Sequence, residues 1–261
     1  MCITINTAKL SKTKILSIPV GNGNHFIAYS NSVQNLSGKQ NAMILPIPGK
    51  TKQEWFYDTT KYKKFLDDII SEADYVEGYL GIRSRGMKLS KSLSVFNVGM
   101  YTVGLADSFD GVLNFIKERA SITDSLSKFF TKEYEGWSFA VCLFDSDKRI
   151  DAQPIAFEYK PFVKRFIYFP TMDAHTGNAP NVNEDVEVDH TFIYEHIGKS
   201  DQTLYKEFVE LKNTDVPEFL KKRKYRYVEV KNSVSKNGDT FINLGNLSLT
   251  PFSEDATFER Q

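Results

Sequence analysis

Short runs rich in β-branched and aromatic residues recur along this 261-residue chain, each closed by Gly, Pro, Asn or Asp. That punctuation constrains the fold more than any other feature, because such runs are too brief for ordinary helices and have the composition of strands. CITINTAKL alternates, residues 14–19 form a second run, and VGNGN supplies a turn tolerant of positive φ before HFIAYS. Residues 42–45 continue this opening meander, and Pro46 and Pro48 are expected to end it. Further strands are expected over 93–103, 137–144, 155–159, 166–169 and 191–194. The runs over 226–231 and 240–244 suggest a hairpin around Lys236-Asn237-Gly238.

Helical spacing is confined to a few windows. Over residues 59–72, Tyr62, Phe65, Leu66 and Ile69 share one face and Lys63, Lys64, Asp67 and Asp68 occupy the other. Residues 110–119 and 123–134 repeat the pattern, and shorter helices are expected over 204–211 and 216–222 with Pro217 in a first turn. Strands outnumber helices and come in adjacent runs. The expected class is therefore α+β, mainly antiparallel sheet with three to five amphipathic helices. Phe129, Phe130, Phe139, Val141, Leu143, Phe157, Ile167 and Phe169 fall on the apolar faces and form the expected core.

Charge excludes little except by balance. Lys plus Arg and Asp plus Glu are 33 each, so bulk electrostatics gives no reason to expect a nucleic-acid partner. The run Lys221 to Lys224 is read as a solvated helix end rather than a nucleic-acid patch. The first ten residues lack the basic start and apolar block of a signal peptide, and no run is long enough for a membrane span. A cytoplasmic location without a membrane partner is expected. Of two cysteines, Cys142 sits inside WSFAVCLF and is expected to be a buried, inert thiol, so no disulfide framework is indicated.

Residues 169–196, FPTMDAHTGNAPNVNEDVEVDHTFIYEH, carry three of the four histidines: His175, His190 and His196. They are read as a strand, a long polar loop and a second strand. The acidic run Glu184 to Asp189 is expected to keep the exit of the loop in water or near a cation, and carboxylates lie beside imidazoles at both mouths. His175 and His190, with Asp189, can serve as an acid/base set near neutral pH or as ligands of a divalent ion. The plainer reading is that each ring holds local backbone.

Cys2 is the other chemical lead. With Met1 removed, its amine could act as base for its own thiol, as in N-terminal-nucleophile hydrolases; otherwise it is a small residue starting an edge strand. His25 and Asn41 in the meander are candidate binding residues, or stabilisers of local loops. Arg83 and Arg85 in GIRSRG could hold an anion, but the segment lacks the Lys-Ser or Lys-Thr ending of a phosphate loop. There is no G-x-S-x-G, H-E-x-x-H, Walker A or G-x-G-x-x-G segment. No cofactor and no resident metal are expected.

The motif order NAMILPIP, YEGWSFAVCLFD, PIAFEYK, FIYFPTMDAHTG and VDHTFIYEH resembles a family of uncharacterised hypothetical proteins of bacteria and some microbial eukaryotes. Those proteins carry a Cys near the N-terminus, a segment like Asn41 to Pro48 and a loop like Pro170 to Gly177. The resemblance implies a core domain over residues 1–196, and residues 197–261 are expected to add a helix and hairpin packed on it. It implies candidate sites but no reaction. Three functions are therefore open: a cysteine-dependent amide hydrolase using Cys2, His175 and His190; a non-enzymatic protein that binds a small molecule or another protein; and a metal-dependent hydrolase using His175, Asp189 and His190.

Overall fold

The computed structural model describes residues 3–75, 93–195 and 208–244. Its main strands are the short β1 (Ile3–Thr4) and the longer β2 (Ala8–Pro19), β3 (His25–Asn35), β4 (Asn41–Ile47), β5 (Leu93–Val98), β6 (Tyr101–Ala106), β7 (Ser138–Phe144), β8 (Ile155–Pro161), β9 (Phe166–Phe169), β10 (Asp185–Glu195), β11 (Tyr225–Lys236) and β12 (Thr240–Asn243). Its helices are α1 (Phe65–Glu72), α2 (Phe109–Ile116), α3 (Asp124–Glu133) and the single turn α4 (Glu218–Lys221). Sheet dominates, as the sequence leads one to expect.

The strands form two layers. One sheet runs β1-β4-β7-β6-β5. The other runs β8-β3-β2-β10-β11, extended at its edges by the two-residue strands Gly49–Lys50 and Asp74–Tyr75. Most pairs are antiparallel, but β10 runs parallel to β2, and β11 parallel to Asp74–Tyr75. The main core lies between the layers and around α2 and α3. A second cluster covers the far face of the larger sheet, where Phe65, Leu66 and Ile69 of α1 and Leu220 of α4 meet Leu16, Ile18 and Phe26. A sheet buried on both faces needs apolar residues at consecutive positions. In β2 the run Ile15, Leu16, Ser17, Ile18 is buried throughout, apolar at every position but Ser17.

A bulge makes β2 possible. Between Ser11 and Lys14 it carries one residue more than β3 opposite, and Lys12 takes φ +53. Ala8 and Leu10 face the main core before the bulge and Ile15 after it, so the inward parity switches from even to odd. The Lys12 amide donates to Asp189 Oδ2 at 3.0 Å, which fixes the extra residue.

Other elements differ from expectation in physical detail. The helix read over 59–72 begins only at Phe65, after a turn. The run over 93–103 divides at Gly99, φ +57, into the β5–β6 hairpin. Pro46 lies inside β4; β1 reaches only Met43 and Ile44, so no ladder bond is lost to the proline on that side. Val209–Glu210 is a strand paired with Lys222–Arg223 instead of a helix end, and residues 201–207 lie outside the described residues. The basic run is largely absorbed locally: Lys221 pairs with Glu218, Arg223 with Glu195, and Lys222 and Lys224 lie over the Phe208 ring.

The two strands read as a C-terminal hairpin do not pair with each other. β11 makes an eleven-rung ladder with β10, whereas β12 pairs with β9. Residues 225–243 are thus divided between the larger sheet and a separate two-stranded sheet of β9 and β12. Strand β10 also begins at Asp185, so the acidic run belongs to a strand.

Of the eight expected core residues, seven are buried and Phe129 is half-buried at the margin. Phe139 sits within β7, buried at every position. Its ring meets Phe109 of α2 at 5.7 Å and Phe130 of α3 at 5.8 Å. Phe139→Ala should therefore lower unfolding free energy by about 3–5 kcal/mol in urea denaturation. A loss below about 1 kcal/mol would contradict this packing.

Candidate functional site

The loop after β9 is held by the turn between β11 and β12. Asp239 is 1% exposed, and its Oδ1 accepts from the Thr171 amide at 2.8 Å and the Met172 amide at 3.0 Å. Its Oδ2 accepts from the Tyr134 hydroxyl at 2.7 Å. Asn237 Oδ1 accepts from the Asp173 amide at 2.8 Å, and its Nδ2 donates to the Asp173 carbonyl at 2.7 Å. Thr171 Oγ1 bonds the Gly238 carbonyl and the Thr240 hydroxyl. Further along, the carbonyl of Gly177 (φ +79) accepts from Thr123, the N-cap of α3. Three side chains from outside the loop, Asp239, Asn237 and Thr123, thus satisfy its backbone.

The electrostatics follow from burial. Removal from water pushes the Asp239 carboxyl above the usual carboxylate range, opposed by the hydroxyl and amides that favour its charged form. The phenols of Tyr134 and Tyr168 are driven well above their ordinary value, by burial first and by the Asp239 charge second. None of the residues of this clamp was singled out in the sequence. The available signal was Lys236-Asn237-Gly238-Asp239, which reads only as a turn.

Within the loop, His175 Nε2 lies 2.9 Å from Asp173 Oδ1, both side chains being mostly buried. This is the imidazole–carboxylate contact expected at that mouth, but neither Nε2 nor Oδ1 has a hydrogen-bond partner there. At the other mouth Asp189 and His190 are successive residues of β10, so their side chains take opposite faces. Asp189 holds the β2 bulge; His190, 1% exposed, stacks on Phe192 with centroids 5.5 Å apart. His190 also floors a small open recess walled by Thr171, Val188, Gly238 and Thr240.

His25 starts β3, 2% exposed, with Nε2 3.1 Å from the Lys164 carbonyl and its ring edge-on to Tyr159. Burial lowers its pKa to about 4. Asn41 is fully buried and works as a backbone clamp: Oδ1 accepts from the Asn6 amide, and Nδ2 donates to the Asn6 and Thr7 carbonyls. This is the loop-stabilising role, realised between β1 and β2. Cys2, Arg83, Arg85 and His196 lie outside the described residues.

Strand β3 serves as a ruler for the histidines. His25 is its first residue. His190 stands opposite Thr13, which lies level with Asn31 of β3. The His175 carbonyl accepts from the Ala8 amide, and Ala8 stands opposite Asn35. At about 3.3 Å per residue, His25 and His190 are roughly 20 Å apart along the sheet, and His175 is roughly 13 Å beyond His190. The three residues stand at three levels along the larger sheet, His175 from the loop whose backbone bonds β2. Among the described residues, no three His, Cys, Asp or Glu side chains gather to hold a metal ion, and no hydroxyl or thiol bonds the His175 ring. No helix among them is long and apolar enough to cross a membrane.

Two outcomes are expected. Asp239→Ala strands two buried amides and a phenol and should cost about 3 kcal/mol or more, whereas Asp239→Asn, which keeps an acceptor, should cost clearly less. Equal losses in urea denaturation would show that the carboxylate does not hold the loop. For His25, the folded-state pKa of about 4 lies below the unfolded value of about 6.5. Its contribution is therefore full above pH 6.5 and lost as pH falls from about 6.5 towards 4, because only the unfolded chain takes the proton there. The stability profile of His25→Gln should be flatter than that of the wild type over this window; parallel profiles would refute the assignment.

No family model matches the chain, and no curated protein matches it. Solved structures do. The fold is similar to that of baculovirus P35, with a TM-score of 0.55 at 16% identity over 93% of this chain and 99% of that one. A mutated baculovirus P35 solved after caspase cleavage gives a TM-score of 0.50 at 13% identity over 89% of this chain and 99% of that one. The likeness spans both chains nearly end to end and is a likeness of fold.

Proposed function

We propose that this chain is a non-enzymatic protein that binds a protease of the caspase class. The supporting observation is the near-complete overlay on P35, a mutated form of which is known after cleavage by a caspase. The placement of the histidines points the same way. A general acid/base pair must lie within hydrogen-bond reach of a common reacting atom, and His25, His175 and His190 lie at levels separated by more than that reach. Each is held by its own neighbourhood. The hydrolase reading would have to run through Cys2, outside the described residues, with His175 alone. The metal reading would need His175, Asp189 and His190 to converge, although Asp189 and His190 face opposite ways. The motif-sharing family of uncharacterised proteins carries no assigned reaction and favours none of these.

A two-layer sheet packed on both faces is a rigid platform, and such platforms present binding segments between their strands. A partner recognised in this way is a folded protease, not a small molecule. The test is to mix the purified chain with a panel of active caspase-class proteases at about 10 µM, which captures complexes with a Kd near 1 µM. Co-elution, a single cut detected by intact mass, and loss of protease turnover are the expected readouts for at least one member. Absence of all three across the panel would refute the proposal.

A further inference from the structure

The structure assigns a site of spontaneous covalent modification, independent of the protease reading: the side-chain amide of Asn22, which closes a ring onto the backbone nitrogen of Gly23 with the cation of Lys164 beside it. The sequence holds two Asn-Gly pairs, Asn22-Gly23 and Asn237-Gly238. A glycine after asparagine leaves no Cβ to obstruct the approach of its nitrogen to the side-chain carbonyl. Both pairs are therefore chemically equipped for the closure, and the fold treats them oppositely.

Asn237 is 5% exposed, its Oδ1 accepts from the Asp173 amide and its Nδ2 donates to the Asp173 carbonyl. Both ends of that amide are committed, so it is not free to rotate towards Gly238. Asn22 stands exposed in the turn Gly21–Gly23 that joins β2 to β3. None of the described residues bonds its side-chain amide. Its backbone lies at φ +64, a conformation that only Lys12 shares among the described non-glycine residues, and Lys12 is fixed by Asp189. The Asn24 amide closes the turn onto the Gly21 carbonyl over a long 3.4 Å. Nothing lies within 4 Å of the place a side chain would take at Gly21. Ring closure requires Asn22 to swing out of the left-handed region, and a turn so lightly held permits it.

Lys164 supplies the activating charge. A Cβ on Gly23 would lie 2.7 Å from Lys164 Nζ, so the ammonium is packed on this glycine. A cation there favours the deprotonated form of the neighbouring amide. The Gly23 nitrogen gives its proton to hydroxide, and its electron pair forms a C–N bond to Asn22 Cγ. The Cγ–Nδ2 bond breaks, and Nδ2 takes a proton from water and leaves as ammonia. Water then adds to one carbonyl of the five-membered imide and breaks its bond to nitrogen. Opening at Cγ leaves aspartate at position 22; opening at the main-chain carbonyl leaves isoaspartate, with one extra methylene in the backbone ahead of His25. Either product tips the balance of 33 basic and 33 acidic residues by one negative charge, next to the Lys164 ammonium.

The test is to age the full chain at about pH 8 and about 37 °C, where hydroxide drives formation of the attacking nitrogen, and to map peptides by mass spectrometry. In the folded chain Asn22 should gain one mass unit, mostly as isoaspartate, at least about tenfold faster than Asn237, whose amide is held. In urea the two sites should convert at similar rates. Lys164→Gln should slow the change at Asn22 by about threefold or more, the effect of half a unit in amide acidity, with the melting temperature unchanged, whereas Lys164→Arg should keep the wild-type rate. Equal rates at Asn22 and Asn237 in the folded chain, an Asn22 that converts only in urea, or a Lys164→Gln chain that ages like the wild type would each overturn the assignment.

Discussion

Burial of the larger sheet on both faces is the constraint on which the rest of the structure depends. Its inner face meets the smaller sheet, and its outer face meets α1 and α4. A strand in that position has no polar side to spare, so any error of register places a polar side chain in one core or the other. Strand β2 meets this demand with the bulge at Lys12, which resets parity midway along its length. Asp189 of β10 secures the bulge from the neighbouring strand. The carboxylate is therefore structural for the same reason that the sheet is buried: an extra residue in a ladder leaves an amide that needs an acceptor.

The Asp239 turn solves a second problem created by the same layering. The chain leaves β11 in the larger sheet and enters β12, which pairs with β9. The corner is buried, so its polar groups need partners from inside the protein. Asn237, Gly238 and Asp239 find them in the loop after β9, and that loop in turn finds the acceptors it lacks. A buried carboxylate is costly alone, but with two amides and a phenol directed at it the loop and the turn become one unit.

What the sequence disclosed follows the same division. Elements fixed by local chemistry were legible. Thr123 before an amphipathic run became the N-cap of α3; FIYF became β9 at its expected limits; and seven of eight expected core positions are buried. Elements fixed by tertiary choice were not. Residues 225–236 and 240–243 flank a turn, but their partners, β10 and β9, are set by which sheet each faces, and no local signal encodes that. The start of β10 was legible in principle. Val186 and Val188 alternate with Asp185, Glu187 and Asp189 at the period of a strand, but the carboxylates suggested a loop. Of the site candidates, the Asp173–His175 pair formed as neighbouring residues can, whereas His25 and His190 took separate stations because strand register, invisible in the sequence, sets their spacing.

Identity of 16% with a preserved two-layer arrangement shows what this fold retains. Layering and strand order can survive wholesale exchange of side chains as long as volume and parity are kept. A catalytic constellation cannot, because it depends on particular side chains held within a fraction of an ångström. In this chain the buried Asp239, Asn41 and His25 are occupied by neighbouring backbone, and the buried His190 stacks on Phe192. In these four residues burial serves the joining of strands and loops, the structural end to which their side chains are committed.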